Sequence, residues 1–255
     1  MTFFDSVFLG ALEGLTEFLP ISSTGHLVLA STLLGIAQTE AVKSFEIAIQ
    51  LGSILAVVVL FWREFLNRQV LVRLVVAFLP TAFIGFTLYR IVKDVLLGNP
   101  FIVVVALFIG GVLIILIERS VRTDSATELA IESVSLKQSF LIGLAQSLAL
   151  IPGVSRSGAT VMGGLLMKLP RATVFKFSFL LAVPTMLAAT AYDLLKTPDA
   201  LAQNNAVLLS VGFLVAFFVA LLTVKAAMAF VKRYSFTPFG WYRIVLALLF
   251  WFFVL

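Results

Sequence analysis

No cysteine occurs among the 255 residues, which excludes disulfides, thiolate metal sites and cysteine nucleophiles. Charge is scarce too: Asp, Glu, Lys and Arg make up 12% of the chain, where a soluble domain carries about 25%. Histidine occurs once, at His26. No hydrophilic stretch is long enough to fold as a domain of its own. What is present instead is apolar: 61% hydrophobic residues and a mean hydropathy of +1.13. The chain therefore reads as a polytopic membrane protein with one membrane domain over residues 1–255. The first apolar run has no basic leader and contains Glu13 and Glu17, so it is expected to belong to the mature fold rather than to a cleaved signal. The net charge of +5 implies no nucleic-acid partner, because the basic residues fall in short loops where membrane topology accounts for them.

Apolar runs between polar breaks predict ten helical segments, at about 3–19, 24–35, 45–62, 70–90, 100–117, 136–151, 158–167, 172–195, 207–231 and 238–255. Six reach the length of a span. The pairs 3–19 with 24–35 and 136–151 with 158–167 differ: each is joined by a tight Pro/Gly/Ser turn, and each second member covers only about half a bilayer. They read as re-entrant hairpins, whose broken backbone has to be met by protein or by a polar cavity. The halves also resemble each other. A shift of 133 residues aligns Gly10 with Gly143, Glu13 with Gln146, Leu15 with Leu148, Ser22 with Ser155 and Gly25 with Gly158, and a shift of 132 aligns Phe45 with Phe177. The expected fold is an all-α polytopic membrane protein, six transmembrane helices plus two re-entrant hairpins, in an inverted-topology repeat. Repeat 1 covers about 1–120, a solvated cytoplasmic connector about 118–135, and repeat 2 about 136–255.

The positive charges give an independent reading of topology. One face receives 13 of the 18, namely Arg63, Arg68, Arg73, Arg119, Arg122, Lys137, Lys168, Arg171, Lys176, Lys225, Lys232, Arg233 and Arg243. The other receives Lys43, Arg90, Lys93 and Lys196, and Arg156 lies in the second turn. The positive-inside rule places the richer face in the cytoplasm and both termini outside, which in a bacterial inner membrane is the periplasmic side.

Chemistry should sit where the polar residues interrupt hydrocarbon, since a charge at mid-span costs roughly 2.5–3.5 kcal/mol even on lenient insertion scales. Glu13 and Glu17 are four residues apart on one helix face, where two carboxylates can hold a divalent cation or divide acid and base roles. Ser22, Ser23 and Thr24 suit the cap of the short helix that follows, and capping explains one hydroxyl of the three. His26 falls in that helix's first turn and can serve as nucleophile, base or acid. The second turn, Pro152 to Gly158, supplies Arg156, whose planar fork suits phosphate, together with Gly153, Ser155, Ser157, Gly158 and Thr160 as hydrogen-bonding groups. Two helix starts, near Gly25 and Gly158, are expected to face a common anion site.

The Glu13-x-x-x-Glu17 pair, the Ser22-Ser-Thr-Gly-His26 run and the Pro152-Gly-x-Ser-Arg-Ser-x-x-Thr160 turn resemble the bacterial undecaprenyl-diphosphate phosphatase family, the bacitracin-resistance proteins. The resemblance covers essentially the whole chain, including the Phe45-Glu46-x-x-x-Gln50-Leu-Gly52 start of the first span. It implies a membrane hydrolase that removes the terminal phosphate of a polyprenyl diphosphate lipid, regenerating the carrier for peptidoglycan synthesis, and depends on a divalent cation, Mg²⁺ or Ca²⁺. In that reading Glu17, Ser23, His26 and Arg156 are catalytic, Glu13 and Glu17 hold the metal, and Ser22, Thr24, Gly153, Ser155, Ser157, Gly158 and Thr160 bind substrate. Three attacking groups stay open: Ser23 activated by His26, His26 itself, or water activated by His26 or a glutamate. A lipid-phosphate flippase or anion transporter is the alternative, because inverted repeats with broken helices also build transporters. Gln146 and Leu150 stand where Glu13 and Glu17 would repeat, so two equivalent sites are not expected. The sequence carries no signal for an oligomeric state.

Overall fold

The computed structural model describes residues 1–37, 39–91, 100–121, 128–196 and 206–253. Among them are ten α-helices and no strand: α1 (Phe3–Thr16), α2 (Ser23–Leu33), α3 (Glu40–Leu60), α4 (Arg68–Ile91), α5 (Pro100–Ser120), α6 (Leu136–Gln146), α7 (Arg156–Leu166), α8 (Arg171–Lys196), α9 (Ala206–Val231) and α10 (Thr237–Phe253). Five are long and apolar enough to cross a membrane, over Ala41–Leu60, Arg68–Leu88, Pro100–Ser120, Arg171–Tyr192 and Ala206–Val231. The sixth expected span is shorter, since α10 has 17 residues. The chain is thus a multi-pass membrane protein.

Where boundaries differ from the sequence expectation, the reason is local. The acidic and basic residues before Phe45 suggested a loop, yet Thr39 caps α3 by accepting from the Val42 N–H, so the helix starts at Glu40. α1 stops at Thr16 and α6 at Gln146, the latter followed by a 3₁₀ turn over Ser147–Leu150. Pro20 and Pro152 disfavour helical geometry at the residue before them, and each lies in the turn that follows its helix.

Corresponding positions of the two halves behave alike. α1 and α6 each open on a capping box, Thr2 with Asp5 and Ser135 with Gln138. Ser22 and Ser155 cap α2 and α7 with backbones in the left-handed region, φ 70° and 73°, and their hydroxyls accept from the Gly25 and Gly158 N–H groups. Gly10 backs onto the carbonyl of Gly212 in α9, and Gly143 backs onto that of Ala77 in α4. Small residues at these crossings bring backbones together, which is how helices associate when lipid offers no hydrophobic drive.

Buried phenylalanines, among them Phe18, Phe175, Phe177, Phe179 and Phe236, fill the middle of the bundle, while Phe83, Phe86, Phe252 and Phe253 are exposed on its outside. The segment expected as a solvated connector is only partly so. Residues 122–127, with Arg122, lie outside the described residues, as does Lys93. Residues 128–135 pack against the bundle: Ile131 and Val134 are buried, and Glu118 pairs with Arg171 at 2.5 Å. A second correction concerns Arg243, counted above among the cytoplasmic charges. It is fully buried, and removing it leaves the charge asymmetry strong.

The close crossing at Gly143 should be intolerant of a methyl group, because a Cβ there would collide with the Ala77 carbonyl. Gly143→Ala is expected to destabilise by about 1–3 kcal/mol, whereas Gly25→Ala, whose Cβ would meet nothing nearer than 3.5 Å, should cost less than about 1 kcal/mol. Thermal unfolding of the two purified variants in detergent checks the difference.

Candidate active site

The turn between α1 and α2 and the turn before α7 meet over a small cavity of about 160 Å³. From the first come Glu17, Ser22, Ser23 and Thr24; from the second, Gly153, Ser155 and Arg156; Gln50 of α3 and Met186 of α8 close the sides. Seven of the residues singled out from the sequence therefore line one space.

A chain of hydrogen bonds runs across it. The Ser23 hydroxyl donates to Glu17 Oε2 at 2.5 Å. Arg156 Nη2 donates to Glu17 Oε1 at 3.1 Å, and its Nη1 donates to the Ser178 carbonyl at 2.9 Å. Arg156 also lies over the Phe18 ring, 5.9 Å from its centroid. Its Nε–H is buried and meets no acceptor among the described residues. Glu17 can sit here because it caps the C-terminus of α1, where the chain is already turning toward Pro20, and Ser23 because α2 begins with it. A hydroxyl hydrogen-bonded to a buried carboxylate is set up to lose its proton, and an arginine fixing that carboxylate is set up to bind a second anion.

Other residues expected at the site stand behind this lining. Ser157 donates its hydroxyl to the Phe18 carbonyl at 2.8 Å, Thr160 donates to the Arg156 carbonyl at 2.8 Å, and the Gly158 N–H donates to Ser155 Oγ at 3.1 Å. The first braces one turn against the other, and the other two stay within the start of α7. His26 is buried with both ring nitrogens engaged: Nδ1 donates to the Ser22 carbonyl at 2.8 Å, and Nε2 lies 2.6 Å from the Tyr242 hydroxyl, with the two rings stacked. In the neutral ring Nδ1 carries the proton and Nε2 accepts from Tyr242. The Ser23 hydroxyl thus points at Glu17 and not at His26.

Glu13 lies one turn before Glu17, fully buried, and neither of its carboxylate oxygens meets a hydrogen-bond donor among the described residues. An unpartnered carboxylate in such a place is costly unless a proton or cation neutralises it, so the Glu13–Glu17 pair fits a divalent cation. Among the described residues no three His, Cys, Asp or Glu side chains form a ready-made cage. A cation here would complete its shell with phosphate oxygen and water, as Mg²⁺ does readily.

Sequence reasoning missed Gln50 as a lining residue and, more importantly, Tyr242 and Arg243. The signal was available: an arginine beside a tyrosine at the head of an apolar helix is an intramembrane charge. Within the predicted helix 238–255, Arg243 counts with the cytoplasmic-face charges because it lies within two turns of the helix start.

Comparison with known proteins places the chain in a family. The sequence profile described as bacitracin resistance protein BacA matches residues 6–249. A protein named undecaprenyl-diphosphatase from Sulfurihydrogenibium sp. (strain YO3AOP1) is 52% identical over 251 residues, 98% of this chain and 99% of the relative. Proteins of the same name from Persephonella marina and Aquifex aeolicus are 49% identical over 257 residues and 48% over 252, covering 100% of both chains in the first case and 98% of both in the second. With its turn motifs, its buried Glu–Arg–Ser chain and a match over nearly its whole length, the chain belongs to the bacitracin resistance protein BacA family.

Proposed function

We propose that this protein hydrolyses undecaprenyl diphosphate to undecaprenyl phosphate and inorganic phosphate within the bacterial inner membrane, recycling the lipid carrier for cell-wall synthesis. The observation that carries the reading is the Ser23–Glu17–Arg156 chain across a small polar cavity inside an apolar bundle. Full-length relatives of the same name support it. A transporter has no use for a hydroxyl set against a carboxylate.

The step follows from that geometry. Ser23 Oγ attacks the terminal phosphorus as its proton passes to Glu17. The bond from that phosphorus to the bridging oxygen breaks, and undecaprenyl phosphate leaves. Water then cleaves the phosphoserine, releasing phosphate and restoring the Ser23 proton. Arg156 stabilises the charge spread over the transferring oxygens through its unengaged Nε–H. His26, held by Ser22 and Tyr242, positions the start of α2. A divalent cation held by Glu13 and Glu17, Mg²⁺ or Ca²⁺, would supply charge neutralisation on the diphosphate.

The proposal extends to topology. Both hairpins, α1–α2 and α6–α7, are re-entrant, and the halves 1–120 and 136–255 form an inverted repeat within one membrane domain. The matched capping boxes, the matched positive-φ serines and the two 11-residue helices, about 16 Å long against a core of about 30 Å, support this. Charge asymmetry supports termini outside.

Ser23→Ala should lower phosphate release from the lipid diphosphate at least about 10³-fold, and Glu17→Gln about 10²- to 10⁴-fold. Rapid quench with labelled substrate should trap an acid-stable ester on Ser23; an acid-labile adduct would point to His26 and no adduct to direct attack by water. Chelator-treated enzyme should lose activity and regain it with Mg²⁺ or Ca²⁺, and Glu13→Gln should raise the metal concentration needed for half-recovery by tenfold or more, about 1.4 kcal/mol; recovery at wild-type concentrations would remove Glu13 from the metal site. In this cysteine-free chain, a membrane-impermeant maleimide on intact cells should label Ala37→Cys and spare Gln69→Cys; the opposite pattern inverts the topology.

A further inference from the structure

Arg243 is the largest fully buried side chain in the molecule, and it has no carboxylate within 4 Å among the described residues. Its five N–H donors meet five backbone carbonyls. Nε donates to Leu107 at 3.3 Å, Nη1 to Pro20 at 3.3 Å and Val154 at 3.0 Å, and Nη2 to Ala106 at 3.1 Å and Gly153 at 2.8 Å. Every donor of the guanidinium is thus satisfied, by α5 and by both site-forming turns at once.

The bond to Val154 has a consequence across the peptide plane. The Val154–Ser155 bond is trans, so its carbonyl and its N–H point in opposite directions. Holding the Val154 oxygen on Arg243 turns the Ser155 N–H away from Arg243. The other peptides on Arg243 do not leave a donor this way: the Ile21 N–H donates to Leu19 and the Val154 N–H to Ile151. The Ser155 N–H has no partner among the described residues, and Ser155 lines the cavity together with Arg156, whose buried Nε–H is likewise unengaged. Ser155 also holds φ at 73°, a conformation that a serine keeps only when its surroundings impose it.

We infer that Arg243 is a positioning residue for phosphoryl transfer, which locks the Val154–Ser155 peptide so that the Ser155 N–H is a preorganised donor to the terminal phosphate, beside Arg156. The inference rests on the phosphatase reading. Glycines make room for the device: a Cβ on Gly110 would collide with Arg243 Nη2, and one on Gly111 would come within 3.1 Å of Arg243 Cβ.

The test uses the full-length protein in detergent. Arg243→Lys keeps a charge but has three donors on one atom, and Gly110→Ala keeps Arg243 while displacing its guanidinium. Size exclusion and thermal unfolding give the folded fraction, and phosphate release from polyprenyl diphosphate is expressed per folded molecule. Both variants should lose about 10- to 10³-fold in kcat, as for removal of one preorganised donor, with KM within threefold. Combined with Arg156→Ala, the losses should be far less than multiplicative. A kcat per folded molecule within threefold of wild type, a loss confined to KM, or multiplicative losses would each overturn the inference; if Arg243→Lys does not fold, Gly110→Ala alone decides. A wild-type enzyme that releases no phosphate would remove the phosphatase reading instead. Arg243 would then be judged on inorganic pyrophosphate binding, where a tenfold weakening in the variants supports the anion-donor role and equal affinity ends it.

Discussion

The turns that follow α1 and precede α7 place backbone carbonyls and amides inside an apolar bundle, where protein groups have to satisfy them. The guanidinium of Arg243 meets that demand for both turns, taking oxygens from Pro20, Gly153 and Val154 while anchored to α5 through Ala106 and Leu107. Dipoles of five carbonyls stand in for a counter-ion, so the charge is tolerated without an acid to neutralise it. Ser157, donating to the Phe18 carbonyl, fastens the same two turns from the other side. These bonds tie together the two turns that line the cavity.

Within that frame the acids and bases have distinct tasks. Glu17 is held on one oxygen by Arg156 and offers the other to Ser23, so its position is set before any substrate arrives. Glu13, one turn deeper and without a donor of its own, suits a cation. Arg156 and the free N–H groups at the start of α7 suit phosphate. Carboxylates on one side and donors on the other let the loaded site approach neutrality, which matters where the surroundings are apolar.

Much of this was legible in the sequence because it follows from local rules. Hydropathy located the ten helices among the described residues, Pro20 and Pro152 marked both breaks, and the Glu13/Glu17, Ser22 to His26 and Pro152 to Thr160 runs supply most of the candidate site's lining and its supports. Local rules and tertiary contacts diverge at particular residues. Arg243 looked like a loop charge because positive residues cluster near helix ends, and only packing shows it facing inward. His26 looked like the partner of Ser23 because the two are three residues apart, yet the helix turns its ring to Tyr242, 216 residues away. Ser157 and Thr160 looked like ligands because hydroxyls near a phosphate motif usually are, and their hydrogen bonds run to the backbone instead.

Residue order alone determined a membrane bundle with two broken hairpins and a polar site at the breaks, since burial of apolar runs and the φ limits imposed by proline act over a few residues. Which carboxylate holds Ser23, which arginine faces the cavity and which braces its walls were decided only by the tertiary structure. Those pairings join residues up to 223 positions apart. No periodicity or spacing encodes a hydrogen bond made only when two turns, 139 positions apart at Glu17 and Arg156, are packed against the same helix.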